Sequence, residues 1–172
     1  PITMELSIYQ VDAFAEKVFQ GNPAAVVPLS SWLPDEVLLR IAAENNLSET
    51  AFFVQQEDHY HLRWFTPVKE VRLCGHATLA TAHVLFSHLG FSDMEIQFSA
   101  LAGQLSVRKS GDAYIMNFPA DLQMLPVTAI PWPELLGVEV LDAIRGTDDM
   151  LVRIASYEQL QKLRPDFRAI AD

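Results

Sequence analysis

The sequence predicts an α+β fold in which several strands surround one buried helix. Segments rich in β-branched and aromatic residues alternate with turns between residues 5 and 118. A single segment among them, Ala77–Leu89, is apolar on nearly every side, which is typical of a helix enclosed by other elements. After Pro119 the composition changes, and three closely spaced prolines are typical of a linker. The chain is therefore divided into two parts, residues 1–119 and 120–172.

The strands predicted in the first part are separated by turns or by helices. They are Glu5–Phe14, Ala24–Pro28, Ala51–Gln55, His61–Thr66, Met94–Ala100, Leu105–Lys109 and Ala113–Phe118. A first helix is predicted to begin near Pro34, since proline suits a first helical turn, and to stop at Asn45-Asn46. The buried helix Ala77–Leu89 is expected to end at Gly90, a residue well suited to a C-terminal cap.

The second part carries fewer signals. Leu151–Ile154 predicts a strand, and Ser156 with Gln159 three residues later forms a capping box that opens a short helix. This stretch is too small to bury a core of its own.

Composition excludes several classes of function. The net charge of -10 disfavours unspecific nucleic-acid binding and docking on an anionic membrane surface. The single cysteine, Cys74, excludes an intrachain disulfide and a cysteine-based structural zinc site. No leader pattern and no apolar run of membrane-spanning length is found, so we expect a cytoplasmic protein that binds neither nucleic acid nor membrane.

The turn Cys74-Gly75-His76 is the first candidate site. It precedes the buried helix, whose first N–H groups can attract an anion such as a substrate carboxylate. Gly75 allows a close approach of the backbone to a ligand, and the helix dipole is expected to favour a thiolate at Cys74. An alternative interpretation makes Gly75 a turn glycine, Cys74 a small core residue and His76 a capping residue.

Two further segments contain candidate residues. Glu49, in Asn46–Thr50, lies next to apolar residues, so its carboxylate would be partly desolvated and suited to act as a general base. From spacing alone, a solvated loop glutamate is the favoured interpretation. Asn22, in Phe19–Pro23, could orient a substrate amide or carboxylate, or could only form the turn.

Other patterns give no site. His59 and His61 could face the same side of a strand, but no cysteine or carboxylate set completes a metal site, so they are interpreted as surface residues. His83 and His88 are five residues apart and do not share a helix face at metal spacing. No nucleotide-binding glycine motif and no nucleophile elbow occurs in the sequence. These patterns therefore give neither a metal site nor a nucleotide-binding site.

Four motifs occur in order along the chain: F-x-G-N-P-A-A-V-V at Phe19–Val27, N-L-S-E-T-A-F at Asn46–Phe52, F-T-P at Phe65–Pro67 and C-G-H-A-T at Cys74–Thr78. Together they resemble the PhzF-like isomerases, a family named for phenazine biosynthesis within the diaminopimelate epimerase superfamily. The resemblance implies two lobes, each a mostly antiparallel β-barrel closed around a central helix, with the active site between them. A role in phenazine synthesis is not implied.

The resemblance also implies roles for residues. Glu49 would be the general base or acid that moves a proton on a small carboxylate substrate, with His76 in the same site. Gly75, Cys74, Asn22 and Ser48 would contact the substrate. The family uses no metal or organic cofactor, and its members are often homodimers, so a homodimer is expected here.

The sequence departs from the family pattern in its second part. A complete member carries an E-D-P-x-T-G-S-A-like segment that supplies an aspartate and a serine to the site, and no such segment is present. We therefore expect residues 120–172 to be a linker and the beginning of an incomplete second lobe, so that the chain alone lacks part of the active site. Two alternatives remain open: a thiol-type racemase or epimerase that uses Cys74, and an inactive truncated lobe that serves as a binding module.

Overall fold

A computed structural model describes residues 4–17 and 19–171 of the chain. It divides into two compact units, Pro1–Pro119 and Ala120–Asp172. Each unit is described separately, and the candidate residues all belong to the first.

The first unit contains eight strands and two helices within its described residues. In chain order they are β1 (Tyr9–Ala13), β2 (Asn22–Leu29), α1 (Asp35–Asn45), β3 (Glu49–Gln55), β4 (Tyr60–Phe65), β5 (Glu70–Val71), α2 (Gly75–Ser87), β6 (Glu95–Ala100), β7 (Gly103–Ser110) and β8 (Ala113–Asn117). The strands form one sheet in the order β1-β2-β3-β4-β6-β7-β8, and the short β5 pairs with β4 beside this path. Two pairs, β2 with β3 and β4 with β6, are parallel, and the others are antiparallel.

The sheet curls around α2 and is open between its ends. Among the described residues β1 pairs with β2 and β8 pairs with β7, so the two edge strands do not close a complete barrel. The closed barrel implied by the resemblance is therefore replaced by a half-barrel. The predicted α+β fold with a central buried helix is confirmed.

Helix α2 is buried on several sides. Small side chains such as Ala77 and Ala80 are fully buried and allow the helix to approach the sheet closely. The buried hydroxyl groups of Thr78 and Thr81 donate to the backbone oxygens of Cys74 and Ala77, at 2.6 and 2.8 Å. These bonds satisfy the polar groups that enclosure removes from water. The helix lies two residues earlier than predicted, and Gly90, with φ of 71°, follows its end.

The two central strands β2 and β3 are buried on both faces. In β2, Val26 belongs to the core around α2, whereas its neighbour Val27 packs in a second core under α1. Phe53 and Phe52 of β3 divide in the same way. Burial on both faces explains why these strands have continuous apolar runs rather than alternating patterns.

The first predicted strand required correction at both of its ends. The first strand is shorter than Glu5–Phe14, because Phe14 has a left-handed φ of 58° that ends the extended conformation. At its other end, continuing the register beyond Tyr9 would place Ser7 opposite Pro28, which has no N–H to donate. Helix α1 ends as predicted, since Asn46 adopts a left-handed φ of 51°.

The second unit contains a small antiparallel sheet and three short helices among its described residues. They are β9 (Leu125–Pro126), α3 (Trp132–Leu136), β10 (Val140–Arg145), β11 (Met150–Ile154), α4 (Tyr157–Gln161) and α5 (Phe167–Ala171). Ser156 caps α4 by accepting a hydrogen bond from the Gln159 N–H at 3.3 Å, as the capping box predicted. Sequence analysis missed β9, β10, α3 and α5. Ala143 is the one residue of this unit's described part that is buried, which agrees with the absence of a sizeable core.

Within the part of the chain that the structure describes, no helix combines the length and the apolar character needed to cross a membrane.

Candidate active site

The first residues of β2, β3 and α2 lie close together in the first unit. Strands β2 and β3 are parallel, with Ala24 paired to Glu49, so both strands begin at the same edge of the sheet. Helix α2 packs against these strands and begins at Gly75. This topology brings together residues from three distant motifs, which is why Asn22, Glu49 and His76 become neighbours.

Glu49 is the first residue of β3 and faces the start of α2. Its carboxylate Oε2 lies 3.5 Å from Nε2 of His76, and about a fifth of its side chain is exposed. The adjacent Thr50 is buried, and its hydroxyl accepts a hydrogen bond from the Asn45 side chain at 3.1 Å. This bond links the end of α1 to the start of β3 and fixes the short connection that presents Glu49.

His76 is buried and has a partner at each ring nitrogen. On the Nε2 side it faces Glu49 and also the Ser48 hydroxyl, at 3.3 Å. Ser48 in turn donates to the side-chain oxygen of Asn22 at 3.3 Å. On the Nδ1 side the Cys74 sulfur lies 3.4 Å away. A continuous polar chain therefore runs from Asn22 through Ser48 and His76 to Cys74.

Cys74 differs from the sequence-based expectation of a thiolate. The pKa of its thiol is raised from 9.0 to about 12, mainly by burial, and the charge of Glu49 and a hydrogen bond to it contribute to this rise. The N–H groups of Ala77 and His76 act in the opposite direction, but they do not offset burial. Desolvation outweighs the helix terminus here, and Cys74 carries its proton at neutral pH.

Gly75 provides an open approach to the backbone. A Cβ atom built at this position would meet no other atom within 4 Å. The first helical hydrogen bond is donated by Thr78 to the Cys74 oxygen at 3.2 Å, so the N–H groups before Thr78 have no partner within the helix. These N–H groups and the open side of Gly75 suit an anionic ligand group.

The six predicted site residues thus lie together, and their roles remain predictions. Sequence analysis did not foresee the supporting bond between Asn45 and Thr50. The one feature of the sequence that pointed to this region was the pair Asn45-Asn46, because asparagine readily takes the left-handed conformation at a helix end. This bond contributes to the site by holding β3 in place.

Donor atoms of Glu49, Cys74 and His76 all lie within 4.8 Å of one another. A cysteine, a histidine and a carboxylate are ligands that zinc accepts, and three protein ligands leave a position open. A metal would have to displace the thiol proton, which the raised pKa of Cys74 opposes. The expectation that no metal is used stays a prediction.

The pair His59 and His61 does not form a site. His59 contacts Asp58 at 2.8 Å, while His61 accepts a hydrogen bond from the indole N–H of Trp32 at 3.1 Å. His61 is half-buried rather than a surface residue, because the Trp32 ring packs against it, and this burial and the charge of Arg63 lower its pKa. The interpretation of His61 as a surface residue was wrong.

Comparison with known proteins identifies close relatives. A family model described as "Phenazine biosynthesis-like protein" matches residues 11–172. An uncharacterised isomerase of Pseudomonas aeruginosa is 51% identical over 164 residues, which cover 95% of this chain and 63% of that protein. The chain therefore spans less than two thirds of this relative.

Solved structures agree with the fold. A phenazine biosynthesis protein of the PhzF family from Enterococcus faecalis has a TM-score of 0.84 and 44% identity, with 96% of this chain and 64% of that chain covered. A protein of Pseudomonas aeruginosa described as a predicted epimerase has a TM-score of 0.74 at 20% identity and covers 98% of this chain and 66% of that one. The second similarity concerns the fold alone.

Proposed function

Because the chain belongs to the family of phenazine biosynthesis-like proteins, we propose that it carries the base-bearing part of a cofactor-independent isomerase. The reaction shifts a proton or a double bond on a small metabolite that bears a carboxylate. Glu49 acts first as general base and then as general acid. The observation that carries this proposal is the position of the Glu49 carboxylate, 3.5 Å from buried His76 at the start of α2.

The start of α2 supports the binding of a carboxylate substrate. The N–H groups of Gly75, His76 and Ala77 have no carbonyl partner inside the helix, although those of His76 and Ala77 are directed at the Cys74 sulfur, and the positive end of the helix dipole favours a negative charge there. The open side of Gly75 leaves room for the substrate. A carboxylate bound at these groups would hold its neighbouring carbon atoms beside Glu49.

The proposed chemistry conserves all atoms and electrons. Glu49 removes a proton from a carbon next to an activating group, and the C–H bonding electrons enter the adjacent π system, so that the double bond shifts. The protonated Glu49 then returns the proton to a different carbon. Negative charge on the intermediate is stabilised by the α2 N–H groups and by His76. These two proton-transfer steps require no oxidant and no organic cofactor.

The alternative of a thiol-type racemase is less well supported. It needs Cys74 as a base, whereas burial raises the pKa of this thiol to about 12. Among the described residues, no contact at the site favours the alternative of a truncated binding module. A cytoplasmic homodimer without a metal remains our expectation for the complete protein.

The test is the substitution Glu49→Gln in the full-length protein, assayed with a panel of small unsaturated carboxylates by NMR. General acid–base catalysis contributes about 10²–10⁴-fold, so we expect kcat to fall by roughly that factor with little change in KM. Glu44→Gln is the matched control, because Glu44 is an exposed glutamate of α1. Thermal unfolding should show that both variants fold. A Glu49→Gln enzyme that keeps the turnover of the control would refute the assignment.

A further inference from the structure

The hydrogen-bond partners of His76 determine which of its ring nitrogens carries a proton. A neutral imidazole has one donor and one acceptor nitrogen, and its partners select between the two tautomers. Both nitrogens of His76 have polar partners in the structure, Ser48 and Glu49 at Nε2 and Cys74 at Nδ1. The Nε2 side determines the tautomer, and the Nδ1 side is compatible with it.

The Nε2 side offers only acceptors. The hydroxyl hydrogen of Ser48 is directed to the Asn22 side-chain oxygen, so the Ser48 oxygen can accept from His76 but cannot donate to it. The second neighbour is the Glu49 carboxylate, and an ionised carboxylate also only accepts. A bare Nε2 would face two acceptors without a hydrogen between them. Nε2 must therefore carry the hydrogen.

The Nδ1 side offers a donor. Cys74 is buried, and its thiol keeps its hydrogen at neutral pH, so the S–H group can donate to a bare Nδ1 at 3.4 Å. The Glu49 carboxylate is a second acceptor near this thiol. A thiol that donates to Glu49 instead of Nδ1 leaves the tautomer of His76 unchanged, because the Nε2 side already determines it. An imidazolium would instead direct a second N–H at the thiol sulfur, which is a weak acceptor.

We propose that Cys74, on one side, and the Asn22–Ser48 pair, on the other, are positioning residues that hold His76 in its neutral Nε2–H tautomer. For catalysis this inference rests on the proposed function. His76 then presents a hydrogen-bond donor beside Glu49, which leaves Glu49 as the proton acceptor of the pair. Cys74 acts through His76 and does not itself exchange a proton with the substrate.

The tautomer can be measured without a substrate. Long-range ¹H–¹⁵N correlation spectra of the ¹⁵N-labelled full-length protein distinguish the protonated from the bare ring nitrogen, and His76→Gln identifies the signals. We expect wild-type His76 to show a protonated Nε2 and a bare Nδ1 at about pH 7.5. Cys74→Ala should lower the ratio of the two tautomers about fivefold, the factor that one ordinary hydrogen bond contributes.

Cys74→Ser is the conservative control, because its hydroxyl can still donate to Nδ1 and should restore the wild-type ratio. Asn22→Ala frees the Ser48 hydroxyl to donate to Nε2 and should shift the ratio in the same direction as Cys74→Ala. His83, at the far end of α2, should keep its signals in all variants and thereby report intact folding.

Two results would overturn the inference. One is wild-type His76 with a protonated Nδ1, either as the other neutral tautomer or as the imidazolium. The other is a tautomer ratio that Cys74→Ala and Asn22→Ala both leave unchanged. Because these spectra need no turnover, they fail or succeed independently of the Glu49→Gln assay that tests the proposed isomerase.

Discussion

The reactivity of Cys74 tests the electrostatics of the site without a substrate. Burial is the main cause that raises the pKa of this thiol from 9.0 to about 12, and only the thiolate reacts with alkylating reagents. At about pH 8, a thiol of pKa 9.0 is about one tenth ionised, whereas a thiol of pKa about 12 is ionised in about one molecule in ten thousand. We therefore expect iodoacetamide to alkylate Cys74 roughly a thousandfold more slowly in the folded protein than in urea.

The assay follows the peptide that contains Cys74 by mass spectrometry over time. Restricted access could also slow alkylation, so the rate is measured at several pH values. For a pKa of about 12 the rate should continue to rise about tenfold per pH unit above pH 9, whereas an inaccessible thiol of ordinary pKa would level off there. A folded-state rate within about tenfold of the rate in urea would refute the reasoning and would restore Cys74 as a candidate base.

Three further predictions concern binding, backbone strain and pH. Gly75→Ala should not lower the melting temperature, because its Cβ meets nothing within 4 Å, but it should weaken substrate binding about tenfold or more in calorimetric titrations if the ligand occupies that space. Gly21→Ala should lower the free energy of unfolding by more than about 2 kcal/mol in urea titrations, because Gly21 has φ of +84° and a Cβ there would collide with the Ala13 carbonyl oxygen. Gly111→Ala, with φ of +59° and open space, should cost about 1–2 kcal/mol and serves as its control. Burial lowers the pKa of His83 below 6.5, so the unfolded chain binds its proton more readily and stability should fall as pH drops through 6.5 towards the folded-state value. His83→Gln should reduce this loss in urea titrations between about pH 7.5 and pH 5, and an unchanged pH dependence would contradict the prediction.

Much of the first unit could be predicted because its local signals agree with its packing. Helix α2 is apolar on nearly every side and is largely buried, and Asn46 ends α1 in the left-handed conformation. The open sheet could not be predicted, since strand order depends on contacts between distant segments. The parallel pairing of β2 with β3 has no local sequence signal, although it is what aligns Asn22 with Ser48 and Glu49.

The second unit was predicted less well for a physical reason. Its strands and helices are short and mostly exposed, so they lack the hydrophobic periodicity on which sequence analysis depends. Strand β10 carries the charged residues Asp142 and Arg145, which disfavour a strand assignment from propensity. The helix start at Ser156 was predicted correctly, because a capping box acts within one helical turn and needs no tertiary context.

The candidate site shows a similar division. Residue types and motif order brought Glu49, His76 and their neighbours into consideration, and the structure places them within hydrogen-bonding reach. The prediction of a thiolate at Cys74 was wrong, because a helix terminus can be recognised in the sequence whereas burial cannot. Desolvation depends on the whole core around α2 and could only be read from the fold.

Cleavage of the substrate C–H bond tests the central claim most directly. A substrate that carries deuterium at the reacting carbon is incubated with the full-length protein, and the loss or transfer of the label is followed by NMR. We predict that the wild type and Glu44→Gln cleave the C–²H bond at equal rates, and that Glu49→Gln is about 10²–10⁴-fold slower. Cleavage by Glu49→Gln at the wild-type rate would contradict the role of Glu49 as the base.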